Sequence, residues 1–137
     1  MTRDDFKILH SELIMYCQCI EFDLKRIYSG MSEANFDDTM DMLENSNLGR
    51  TLKKLKTLDF SDGTLDLSES LYEDLNEVRE IRNYLCHQCY IDFIYIENAE
   101  IKENEFQMLS RRLENERNRL YNIHRVLERI YLSEYDK

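Results

Sequence analysis

Apolar residues along the first part of the chain recur at spacings of three and four: Phe6, Leu9, Leu13, Tyr16, Ile20, Leu24 and Ile27. That period places them on one face of a long helix, predicted over residues 4–29 and closing at Ser29-Gly30. The cleanest pattern lies at the other end. Phe106, Leu109, Leu113, Glu116, Leu120, Ile123, Leu127 and Ile130 alternate three and four throughout, with Glu116 the one polar member. Such a stripe predicts a long helix packed along another helix. Between them, Leu71, Leu75, Val78, Leu85 and Cys89 mark a third long helix, starting at Ser68 and running to about Tyr90.

The stretches between these helices read differently. A Ser32 cap with a short helix over residues 35–44 is expected, and Asn47-Leu48-Gly49-Arg50 opens a second short helix carrying Leu52, Leu55 and Leu58. Residues 59–67 are the clearest loop, because Ser, Asp and Gly compete with helical backbone bonding. Ile91-Asp92-Phe93-Ile94-Tyr95-Ile96 is rich in β-branched and aromatic residues and reads as an extended connector. The chain has no Pro and three Gly in 137 residues, a composition that favours long helices. The expected fold class is all-α. It is an up-and-down helical bundle of three long and about two short helices, in a single domain over residues 1–137.

A net charge of −10 opposes broad adhesion to nucleic acid or to an anionic membrane. The acids are unevenly spread, however: residues 59–80 hold eight of them against Arg79 alone, whereas Arg50, Lys53, Lys54 and Lys56 cluster with no acid between them. RNA contacts are therefore expected to be local, through Arg79, Arg50, Lys53 and Lys54. No apolar run approaches the roughly 20 residues that span a bilayer. The acidic start, Thr2-Arg3-Asp4-Asp5, lacks the layout of a signal peptide, so a soluble, cytoplasmic protein is expected.

Cys17, Cys19, Cys86 and Cys89 then read as reduced thiols that pack as small apolar residues. Cys86-His87-x-Cys89 invites a zinc reading, but Cys17 and Cys19 point to nearly opposite helix faces and no Gly-rich knuckle supports them. No metal and no cofactor are expected. His10 and His124 sit among helical residues without an evident partner and read as surface or satisfied core histidines.

One segment could carry chemistry: Arg82-Asn83-Tyr84-Leu85-Cys86-His87. At about 100° per residue, Asn83 and His87 lie one turn apart on one side of their helix, while Arg82 points about 140° from His87. Asn83 can fix an imidazole tautomer, and Arg82 is placed either to snorkel to solvent or to sit at an interface beside the core. Taken alone, an Asn and a His on a helix face are more often plain surface residues.

Arg82-Asn83-x-x-x-His87, near the end of a long helix in a small helical chain, resembles the Arg-x4-6-His motif of the HEPN superfamily. Leu48-Gly49-Arg50-Thr51-Leu52, ahead of the motif helix, is also similar to what such bundles carry. The resemblance implies a metal-independent endoribonuclease acting as a homodimer on RNA and not DNA. In that role Arg82 holds the scissile phosphate and His87 is the general acid/base. The 2′-OH attacks the adjacent phosphate, leaving a 2′,3′-cyclic end, and Asn83 orients the imidazole or touches phosphate.

Two antiparallel copies would pool an Arg from one and a His from the other, which answers the 140° separation. Small HEPN proteins of this kind resemble toxins or phage-defence effectors, with a nucleotidyltransferase-type antitoxin that modifies a Tyr in Arg-x4-His-x-Tyr. Here Cys89 stands at the Tyr place and Tyr90 follows one residue later, about 100° round the helix. Tyr90 is thus a supporting residue whose place in that scheme is displaced. The competing expectation is a non-catalytic HEPN-like protein-interaction module, which the acidity would suit.

Overall fold

The structure, a computed structural model, describes residues 1–136. It is all-helical, with no strand among the described residues. Three long helices form its frame: α1 (Arg3–Met31), α4 (Glu69–His87) and α6 (Ala99–Ile130). The shorter α2 (Phe36–Leu43), α3 (Leu48–Asp59) and α5 (Ile91–Ile94) connect them, and a π-helical turn, Tyr131–Tyr135, extends α6. Among the described residues no helix is long and apolar enough to cross a membrane.

The caps follow from local chemistry. Thr2, Asn35, Asn47, Ser68 and Asn98 each accept a bond from the backbone N–H three residues on, satisfying donors left open by the first turn. The predicted Ser32 cap is corrected: Ser32 closes α1, and Asn35 caps α2. The extended connector is corrected as well, since residues 91–94 form a helical turn. Its anchor is Phe93, buried with its ring about 5 Å from Phe6 and Phe106. Burial of that ring outweighs the β preference of its neighbours.

Side-chain pairs give the directions of the long helices. Arg3 meets Glu103, Glu12 meets Arg117 and Tyr16 meets Tyr121, so α1 and α6 run the same way. Glu21 meets Arg82 while His10 meets Leu85, so α4 runs against α1. The core lies between them, led by Phe6, Leu13, Ile20 and Leu24 of α1 with Phe106, Leu113 and Leu120 of α6. Glu116, the polar member of the α6 stripe, is half-buried there and paired at 3.7 Å with Arg119.

Asp59 pins the loop between α3 and α4. Its buried carboxylate accepts the N–H groups of Asp66 and Leu67 and the hydroxyl of Tyr72, at 2.7, 3.1 and 2.7 Å. Gly63 supplies the one positive φ among the described residues, 89°. This loop sets α3 against the first half of α4 and leaves the second half, which carries the motif, open.

Candidate functional site

Helix α4 starts at its Ser68 cap, buries Leu71, Leu75, Val78, Ile81 and Leu85, and ends at His87. It stops there because Gln88 leaves helical geometry, at φ −133° and ψ −31°, and the N–H groups of Gln88 and Cys89 both close on the Tyr84 carbonyl. His10 of α1 completes the terminus, with its Nε2 2.8 Å from the Leu85 carbonyl oxygen. A carbonyl that the helix itself cannot satisfy is thereby paired.

The motif side chains part company around this helix. Arg82 is half-buried and turns to α1, its Nε 3.9 Å from a Glu21 carboxylate oxygen, with 34 % of the side chain still exposed. Asn83 and His87 face solvent, and among the described residues neither makes a hydrogen bond or ion pair. The Asn83–His87 link expected from their spacing is not formed. Two water-exposed groups gain little by pairing with each other.

Tyr90 lies beyond the helix end with its ring turned inward, 5.4 Å from Phe6 and 4.9 Å from His10. Burial raises its pKa and so holds the phenol protonated. Cys86 is exposed, whereas Cys17 and Cys89 are buried, and burial pushes their thiols up to about 12 and about 11. Neither is a thiolate near neutrality. Among the described residues no group of three or more His, Cys, Asp or Glu side chains is placed to hold a metal ion.

Tyr84 and Asp92 form a clamp that sequence reasoning missed. The Tyr84 hydroxyl donates to Asp92, which also accepts from Gln88, and the Arg112 guanidinium lies 4.6 Å above the Tyr84 ring. Burial and the bond to Asp92 raise the Tyr84 pKa, while the bonds from Tyr84 and Gln88 lower that of Asp92. The clamp fixes the corner after His87. Glu21 was missed too, although its place beside Cys17 and Leu24 on the α1 wheel marks it as a charge bordering the core.

The basic residues occupy a neighbouring surface. Arg79 lies across the first turn of α3, where a Cβ on Gly49 would come 3.0 Å from its Cδ. Lys53 and Arg79 line an open groove of about 820 Å³ between α3 and α4, lined also by Leu52, Tyr72 and the exposed Phe60. Lys56 is there as well, but it is paired with Glu69 at 3.7 Å. Lys54 stands beside Tyr28 at a smaller depression, and Arg50 is exposed at the start of α3. Arg79, Asn83 and His87 fall at successive four-residue steps along one face of α4, so the cation sharing the histidine's side is Arg79, two turns away.

No family model, curated protein or solved structure matches this chain.

Proposed function

We propose that the protein is a metal-independent endoribonuclease of HEPN type, working as a homodimer in a toxin or phage-defence setting. One observation carries the reading: His87 stands exposed at the end of α4 with no partner among the described residues, one turn from Asn83, on the helix that also carries Arg82, whose side chain is still 34 % exposed. The two other histidines are tied up by protein partners. A free imidazole can accept the 2′-OH proton and return one to the leaving 5′-oxygen, and a guanidinium can neutralise the charge that develops on phosphorus oxygens. Each copy presents its Arg and its His in different directions, so the second copy supplies what the first cannot aim at the same phosphate.

Arg79, Lys53, Lys54 and Arg50 would hold the RNA strand away from the cut. The half-buried, inward-turned ring of Tyr90 suits a packing role better than nucleotide transfer by an antitoxin.

The Arg82–Glu21 pair favours a second reading. A cation already matched to an anion of its own chain is at home in a non-catalytic helical module that binds another protein. Incubating the purified protein with RNA in EDTA, beside Arg82→Ala and His87→Ala, separates the two. Cleavage in the wild type that both variants lose supports the enzyme. No cleavage, or cleavage that both variants retain, leaves the module.

A further inference from the structure

Helix α1 turns a strip of apolar side chains to solvent. Ile8, Met15 and Phe22 are 66, 47 and 51 % exposed and follow one another at seven-residue steps. Asp4 and Arg26 extend the strip at its two ends. At about 100° per residue all five fall within a sector of about 40°, on the side of α1 opposite Leu13, Ile20 and Leu24.

The strip has a two-fold pattern along the helix. Ile8 and Phe22 lie seven residues either side of Met15, and Asp4 and Arg26 lie eleven either side. A second copy laid antiparallel about Met15 therefore sets Ile8 on Phe22, Met15 on Met15 and Asp4 on Arg26. Opposite charges meet at both ends. A parallel copy would set Asp4 on Asp4 and Arg26 on Arg26, which charge opposes. The Asp4 carboxylate is 91 % exposed, with a loose 3.8 Å contact to Lys7. Arg26 is held in place by Asp23 at 3.1 Å and by the Tyr131 ring at 4.1 Å, yet 23 % of its side chain is exposed.

The level of this strip coincides with that of the motif. His10 pairs with Leu85 and Glu21 pairs with Arg82, so the Arg82–Leu85 stretch runs alongside α1 residues 10–21, whose middle is at Met15 and Tyr16. A two-fold axis between antiparallel helices keeps each flank on its own side. Both α4 helices would then stand on the same side of the joined α1 pair.

We propose that a second copy of this chain docks antiparallel on α1 about Met15, and that this seam lines two Arg82–His87 segments along one cleft. The dimer belongs to the ribonuclease reading; the seam is the added step, and its test uses no RNA. Sedimentation equilibrium of the full chain should give twice the 16.7 kDa of the monomer. Met15→Glu should halve that mass with helical circular dichroism unchanged.

Ile8→Glu and Phe22→Lys should each be monomeric alone and regain the doubled mass when mixed, because only the antiparallel register sets the new Glu on the new Lys and leaves a wild-type pair at the other end. A monomeric wild type, a dimeric Met15→Glu protein or a mixture that stays monomeric overturns the seam. A dimer that cuts no RNA sinks the ribonuclease reading alone, and a monomer that cuts RNA sinks the seam and the homodimer with it while leaving the ribonuclease.

Discussion

The α1–α6 seam and the end of α4 use the same residue type in opposite ways. At the seam, His124 Nδ1 sits 2.6 Å from a carboxylate oxygen of buried Asp23, and its Nε2 is 3.6 Å from Glu128. At the end of α4, His87 has no protein partner among the described residues. The difference comes from position along the helices. His124 lies within α6 where α1 packs on it, so one ring nitrogen meets Asp23 of the facing helix and the other meets Glu128 one turn on in its own helix. His87 is the last residue of a helix whose second half α3 leaves uncovered. An imidazole in the first setting holds two helices together, and one in the second is available to a ligand.

Substitution should separate the two roles. His87→Ala is expected to reduce RNA cleavage by about 100-fold or more, the usual size of a lost general acid/base, with urea unfolding unchanged. His124→Ala is expected to do the reverse. It leaves the Asp23 carboxylate with Arg26 as its remaining side-chain partner, a loss of about 2 kcal/mol for a buried charged group short of a bond. Cleavage per folded molecule should stay at the wild-type value. If His124→Ala abolished cleavage in a folded protein while His87→Ala did not, the comparison would be inverted.

The carboxylate under His124 gives a smaller effect. Burial raises the Asp23 pKa above 3.8, and the His124 and Arg26 contacts offset only part of that rise. Because the folded value exceeds the unfolded one, the unfolded chain ionises first as pH climbs. The stability this group contributes is complete below pH 3.8 and is lost as pH rises through the folded value. Asp23→Asn, which keeps an acceptor for His124, removes that dependence. Urea titrations between about pH 3 and 6, which bracket the unfolded carboxylate value, should show wild type losing stability relative to the variant as pH increases. A constant difference would mean that Asp23 does not titrate there.

Much of this contrast could be read from the chain, and the unread part has one physical origin. The stripes of α1, α4 and α6 follow from spacings of three and four, and Ser68 and Asn47 announced their helices because their side chains can satisfy open N–H groups. The opposed directions of Arg82 and His87 follow from helical geometry alone. The partners of these residues lie on other helices, however, and the docking register of two helices is not written in either one. Thus Glu21 beneath Arg82, His10 on the Leu85 carbonyl and Asp23 beneath His124 emerged only from the packed structure. Residues 91–96 misled for the same reason: the local preference is extended, but Phe93 has a place in the core beside Phe6.

Asp92, at the corner after His87, should behave as the mirror image of Asp23, with the smallest effect. Its bonds from Tyr84 and Gln88 lower its pKa below 3.8. A depressed folded value reverses the sign: the stability it contributes is present above the unfolded value and is lost as pH falls through the folded one. Asp92 is exposed, so water screens the interaction and the change should lie near the limit of a urea titration. Asp92→Asn should therefore lose its small deficit against wild type in acid, the direction opposite to Asp23→Asn. The more sensitive readout is hydrogen exchange at the Gln88 and Cys89 amides, which close on the Tyr84 carbonyl. Faster exchange at these two amides in Asp92→Asn, with the middle of α4 unaffected, is the expected result. Unchanged exchange would show that the Tyr84 clamp does not hold the corner that presents His87.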